Sequence, residues 1–376
     1  MKKIVLFFMI FLLLPITTFA NDTEIKNVIF MIGDGMGVNH LEWAKAETGE
    51  ELIMDSMPIK GYRNTNSFSG LTDSAAGGTA LACGLLAINY NVGRLSIPIN
   101  DYNVVVADYV NLCEKAQIQG KKTGIITSDE NTGATPGAFS AHTSTRYEYE
   151  KMSEQQLNSN LDLLWSTADG IINEEMATES GWTYVDNINE IYELPKDSKS
   201  IAQFTGNVAY DDGDEFGAPL STLTARGIEL LDGSENGFFL MVEGAHIDKY
   251  SHNNDSEGMI KSLIEFDKAI GEAINFAKED GHTMVIVTAD HETGGIVWNE
   301  DNETWEFTSD YHTDVDVPLR VFGDYGMLND GETIKNVAVA RYVANVMGID
   351  EFPSFEIRRS FKPIYSLIVE RLVEER

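Results

Sequence analysis

A recurring unit constrains this chain more than any other feature: an apolar run, a turn carrying acids and histidines, then a helical pattern. Residues 27–32 (NVIFMI) run into Gly33-Asp34-Gly35-Met36-Gly37, and residues 123–127 (TGIIT) into the loop SDENTGATPG. Residues 238–242 (FFLMV) run into Glu243, His246, Asp248 and His252, and residues 284–288 (MVIVT) into Asp290-His291-Glu292. A further strand is expected at 317–322, just after His312. Continuous β-branched and apolar runs, rather than alternating ones, mark strands buried on both faces. Alternation with helices makes the predicted fold α/β, a mostly parallel central sheet flanked by helices on both faces. Helices are expected at 257–278, where one face is apolar and Gly281 follows, at 332–347, and at 104–117, ended near Gly120. In such sheets, sites form beyond the carboxyl ends of the strands. Asp34, Glu243 and Asp290 each stand just past one, which predicts a single convergent site.

Residues 1–20 are expected to lie outside this fold. Lys2 and Lys3, an apolar stretch 4–14 and Thr18-Phe19-Ala20 have the form of a secretory signal peptide. No Cys follows Ala20 to take a lipid, and no later stretch is long and apolar enough to span a bilayer. The mature chain, 21–376, is expected to be one exported, soluble catalytic domain in a periplasmic or extracellular space. Its polar middle, about 147–232, reads as a mixed insertion packed over or beside the site. Losing residues 1–20 removes two lysines and no acids, which takes the formal charge from −33 to −35. That acidity argues against nucleic acid or an anionic membrane as partner. An anionic substrate would need local positive charge, which bound metals supply. The two cysteines, Cys83 and Cys113, fall at buried helix positions and are expected as free thiols.

The stretch 237–252 (GFFLMVEGAHIDKYSH) concentrates oxygen and imidazole donors after a strand, the chemistry of hard or borderline divalent cations. Ser74, in LTDSAAGGTALACG, precedes a helix of very small residues. A helix N-terminus offers free N–H groups and a positive dipole end to a phosphate. Simple capping by Thr72, Asp73 or Ser74 would explain the polar residues but not the run of Ala and Gly, which allows close approach of neighbouring backbone. No general base for a serine triad and no G-x-S-x-G elbow is present. A metal can lower the hydroxyl pKa instead.

Taken in order, GDGMG at Asp34, TDSAA at Ser74, ATPGAFSAHTSTR ending at Arg146, VEGAHIDKYSH, TADHETGG and DYHT at His312 resemble the alkaline phosphatase family. The resemblance spans roughly 27–325, with the middle poorly matched. It implies an exported homodimeric phosphomonoesterase that forms a phosphoserine and holds two Zn2+ and one Mg2+ per subunit. Carried onto this sequence, it implies Asp248, His252 and His312 at the first zinc. Asp34, Asp290, His291 and Ser74 would surround the second, with Asp34 bridging to a magnesium also held by Thr135 and Glu243. Arg146 would grip phosphate in a bidentate fork, and Lys249 would reach it through water. His40, His142, His246 and His282 are left as structural or exposed. The chain departs from the family at Gly133, where relatives generally carry a carboxylate or imidazole supporting the third metal; Asp129, Glu130 or Asn131 are the candidates to replace it. A phosphodiesterase or phosphonate hydrolase on the same scaffold is the nearest rival. Serine at position 74, rather than the threonine of many diesterases, favours the monoesterase, and the C-x-P-x-R motif of sulfatases is absent. A non-catalytic metal-binding protein would not need Ser74 together with Arg146.

Overall fold

The computed structural model describes residues 24–99, 102–323, 326 and 329–358. The signal-peptide reading of residues 1–20 lies outside them. The central sheet contains β1 (Asn27–Gly33), β2 (Ile59–Arg63), β3 (Lys122–Glu130), β4 (Leu163–Thr167), β5 (Thr183–Val185), β6 (Ser200–Phe204), β7 (Phe238–Gly244), β8 (Thr283–Thr288), β9 (Val317–Phe322) and β10 (Thr333–Ile334). Their order is β10-β2-β9-β8-β1-β7-β3-β4-β6-β5. From β8 through β5 every pairing is parallel, and β9 runs against both its neighbours.

The helices that matter for the site or its support are α1 (Val38–Thr48), α2 (Ser74–Cys83), α3 (Leu112–Ile118), α4 (Ala134–Ser140), α5 (Leu220–Leu231), α6 (His246–His252), α7 (Ser256–Asp280) and α8 (Ala338–Val346). Successive side chains of β1 go to opposite faces. Val28, Phe30 and Ile32 join one apolar core with residues of α2, α3, α4 and α8. Ile29 and Met31 join a second core with α1, α5 and α7. That two-sided burial is why β1 reads as an unbroken apolar run. Helix α7 is capped by Asp255, whose side chain accepts from Gly258 N, and stopped by Gly281 in the left-handed conformation.

The structure departs from the sequence expectations in three places. Residues 104–117 are not one helix. Tyr102–Val110 is a strand of a separate three-stranded sheet with Arg94–Ile99 and Ser354–Ile357, and α3 begins only at Leu112. Valines favour the strand, and Asn111 with Glu114 forms a capping box that starts the helix afresh. Residues 147–232 do more than pack over or beside the site, because they supply β4, β5 and β6 and so extend the central sheet itself. Residues 332–347 open with β10 rather than a helical turn, because Thr333 and Ile334 pair in parallel with Tyr62 and Arg63 of β2, and α8 starts at Ala338. Cys83 and Cys113 are both free and buried.

Candidate active site

Parallel register sets four strand ends level. Ile32 of β1 lies opposite both Thr288 of β8 and Glu243 of β7, and Glu243 lies opposite Thr127 of β3. Asp34, Glu243 and Asp290 therefore leave the sheet side by side, and all three are buried. The β1 turn is held across strands, with Asp34 N donating to Gly244 O at 3.3 Å. Asp290 Oδ1 accepts from Gly35 N at 3.1 Å and from His291 N at 2.9 Å. These two N–H groups fix the carboxylate so that Oδ2 faces His291 Nε2 at 3.1 Å.

Two clusters result. In one, His291 Nε2 lies 3.6 Å from Asp34 Oδ1, beside Asp290. In the other, Asp248 Oδ1 lies 3.4 Å from His252 Nε2 and 3.8 Å from His312 Nε2. The clusters touch, since the His291 and His312 rings stack with centroids 3.5 Å apart. His252 Nδ1 donates to Asp310 O at 2.6 Å and His312 Nδ1 to Thr72 O at 2.8 Å. Each ring then turns the lone pair of Nε2 inward, the arrangement that metal-ligating histidines adopt.

Electrostatics test whether cations fit. Burial, then the charges of Asp290, Asp248 and Glu243, push Asp34 well above the usual carboxylate range. Burial and Asp129 raise Glu243 to about 8. Burial, then His312 and Arg146, drives His291 far down, so it stays a neutral donor. Among the described residues, Asp34 Oδ1, Asp290 Oδ2, Glu243 Oε1 and Thr135 Oγ1 are buried with no hydrogen bond. Buried orphans of this kind call for an unseen partner. Acceptor oxygens and neutral imidazole nitrogens aimed at shared points suit divalent cations.

Helix α2 brings the nucleophile candidate. All its residues are buried, and Ser74 Oγ stands 3.2 Å from His291 Nε2. A Cβ at Gly77 would lie 3.1 Å from Asp290 Cβ, and one at Gly78 would lie 3.2 Å from Thr135 Cα. The small residues thus let α2 wedge between the Asp290 turn and α4. Asp73 caps the helix, its Oδ1 accepting from Ala76 N at 3.0 Å. Its Oδ2 accepts from Arg146 at 3.4 Å and from Tyr90 N at 3.1 Å, tethering Arg146 to the helix start. Beside His312 opens a cleft of about 710 Å³ lined by Asn64, Thr65, Asn66, Gly70 and Leu71.

Thr135 and Glu243 lie on the other side of Asp34, with Glu243 Oε2 accepting from Thr127 Oγ1. Lys249 is ion-paired with Asp129. The four remaining histidines have other partners. His40 accepts from Gly37 N at 3.2 Å and meets Ser251 Oγ, while His142 meets Glu114 at 2.9 Å. His246 faces Ser128, and His282 faces Glu24 O. Sequence reasoning missed three supports. Asp73 reads only as a cap, although it positions Arg146. Thr293 Oγ1 donates to Asp248 Oδ1 and so orients it. Arg63, wholly buried, donates to the carbonyls of Ala289 and Asp290 and to Asn336. The inward-outward alternation of IKGYR would have turned Arg63 to the buried face with Ile59.

The family model for alkaline phosphatase matches residues 25–166 and 166–338. The chain belongs to the alkaline phosphatase family. It is 30% identical over 359 residues to alkaline phosphatase 4 of Bacillus subtilis (strain 168), covering 89% of this chain and 75% of that protein. It is 27% identical over 405 residues to the alkaline phosphatase of Escherichia coli (strain K12), covering 88% and 84%. The solved alkaline phosphatase of the Antarctic bacterium TAB5 superposes with a TM-score of 0.74 at 25% identity, over 88% of this chain and 99% of that one. A histidine-to-glutamate variant of the TAB5 enzyme is described with Mg bound in its M3 site. As a member of this family the chain is an enzyme, a hydrolase of phosphate monoesters. No helix among the described residues is long and apolar enough to cross a membrane.

Proposed function

We propose that the enzyme hydrolyses small phosphomonoesters in two in-line steps through a covalent phosphoserine at Ser74, at a centre of two Zn2+ and one Mg2+. The observation that carries this reading is the position of Ser74 Oγ, 3.2 Å from His291 Nε2 at the buried start of α2, beside two clusters of donors. Asp248, His252 and His312 would hold one zinc, Asp34, Asp290 and His291 the other, and Thr135, Glu243 and Asp34 the magnesium. When bound, these ions supply Lewis acidity, a lowered pKa for coordinated oxygen and charge to offset the phosphate.

The chain's own groups do the rest. Ser74 Oγ attacks phosphorus as the ester oxygen leaves on the opposite side. Water then breaks the Ser74–phosphate bond and releases inorganic phosphate. Arg146, held by Asp73, takes two phosphate oxygens through its planar fork. The dipole and free N–H groups at the start of α2 add to the stabilisation of the negatively charged phosphoryl group. Lys249 contacts the phosphate through water. Arg63 keeps the Asp290 turn rigid. The reading extends to removal of residues 1–20 on export to the periplasm or exterior, and to a homodimer.

Zinc-loaded protein tests it at alkaline pH with p-nitrophenyl phosphate and bis(p-nitrophenyl) phosphate. The monoester is expected to be the faster substrate by orders of magnitude, with activity lost on chelation and regained with zinc. Faster turnover of the diester would move the chain to the phosphodiesterase reading.

A further inference from the structure

Gly133 gives the third metal site no side chain, yet the space beside it is filled. A Cβ built on Gly133 would lie 2.4 Å from Asp129 Oδ2 and 2.9 Å from Asp129 Cγ. The carboxylate of Asp129, at the end of β3, occupies the place that a side chain at 133 would need. Gly133 N donates to Glu130 O at 2.9 Å, a tight turn that folds position 133 back over Asp129 just before Thr135. Asp129 Oδ1 is ion-paired with Lys249, which leaves Oδ2 toward Gly133. Among charges acting on Glu243, that of Asp129 is the strongest. Thr135 Oγ1 and Glu243 Oε1, both buried without a hydrogen bond, complete the setting.

We infer that Asp129 is the missing carboxylate of the third site, delivered from the strand end four residues before the position left vacant by Gly133. This rests on the magnesium reading above. Magnesium sheds water reluctantly and favours six oxygens. Asp34, Thr135 and Glu243 leave positions for water, and Asp129 Oδ2 holds those waters while Lys249 fixes the carboxylate from the other side. The glycine leaves that carboxylate its place, because a Cβ at 133 would push the Asp129 carboxylate out of it.

The test is calorimetric titration of Mg2+ into zinc-loaded protein, with zinc content measured alongside. Asp129→Asn is expected to weaken Mg2+ binding by roughly 10- to 100-fold, the range for loss of outer-shell partners, with zinc content unchanged. Gly133→Asp alone is expected to weaken it too, by collision. The exchange Asp129→Gly with Gly133→Asp is expected to bind Mg2+ more tightly than Asp129→Gly alone, a rescue that general loss of structure would not produce. Unchanged affinity in Asp129→Asn, or no rescue in the exchange, overturns the assignment. Wild-type protein that takes up zinc but no Mg2+ overturns the magnesium reading itself, and the assignment with it.

Discussion

His252 and His312 meet Nε2 to Nε2 at 3.2 Å while the Nδ1 of each ring donates to a backbone carbonyl. With both Nδ1 atoms carrying the proton, two lone pairs face each other beside Asp248, an arrangement that a cation relieves. His252→Ala should therefore lose one of two zinc equivalents while retaining the one at Asp34, Asp290 and His291. Metal analysis after dialysis checks this, and activity should fall by roughly 100-fold or more, since Lewis-acid stabilisation is worth several kcal/mol.

His40 predicts a pH dependence of stability. Burial holds it neutral, lowering its pKa from 6.5 to about 3. The unfolded chain binds this proton below about 6.5 and the folded one does not, so stability present above 6.5 is lost as pH falls toward 3. The slope from this group is about 1.4 kcal/mol per pH unit at most. Denaturant melts of chelated protein at pH 7.5 and 5 should show His40→Gln losing less stability on acidification than the parent.

Asp73 separates capping from positioning. Asn at this position keeps the helix cap but lacks the charge that pairs with Arg146. Asp73→Asn should leave the melting temperature within a few degrees while raising KM and the inhibition constant of inorganic phosphate several-fold. Arg146→Ala should raise both further, by roughly 10- to 100-fold, the size of one charge-assisted hydrogen bond or two.

At Gly77, helix propensity and site geometry oppose each other. Alanine would favour the helix by up to about 1 kcal/mol. Its Cβ would sit 3.1 Å from Asp290 Cβ and Asp290 O, so the Asp290 turn must yield by a few tenths of an ångström. Gly77→Ala should fold as well as the parent yet lose roughly tenfold in kcat, given how steeply rate falls with misplacement. Unchanged kcat would mean that α2 and the Asp290 turn are not rigidly coupled.

The strands β1, β3, β7 and β8 were legible because burial on both faces removes all alternation, and the candidate metal donors because acids or histidines follow these strands closely. What escaped is what depends on tertiary neighbours. Residues 104–117 carry an apolar spacing compatible with a helix, and only the Asn111–Glu114 box marks the true start. The strands within 147–232 are short, and their pairing with the main sheet is set by distant partners such as Gly124 with Leu163. Arg63 finds Ala289 across 226 positions, and Asp73 finds Arg146 across 73. No local pattern encodes either contact. The departure at Gly133 was visible in sequence with Asp129, Glu130 and Asn131 as candidate replacements, and the space Asp129 occupies beside Gly133 favours it among the three.

The central claim is that Ser74 carries the phosphoryl group. Zinc-loaded protein incubated with 32P-phosphate and quenched in acid should retain up to one label per chain, on the peptide containing Ser74. The Ser74→Ala variant should retain none while holding its full zinc content. Label on another peptide, or label persisting in Ser74→Ala, would contradict it.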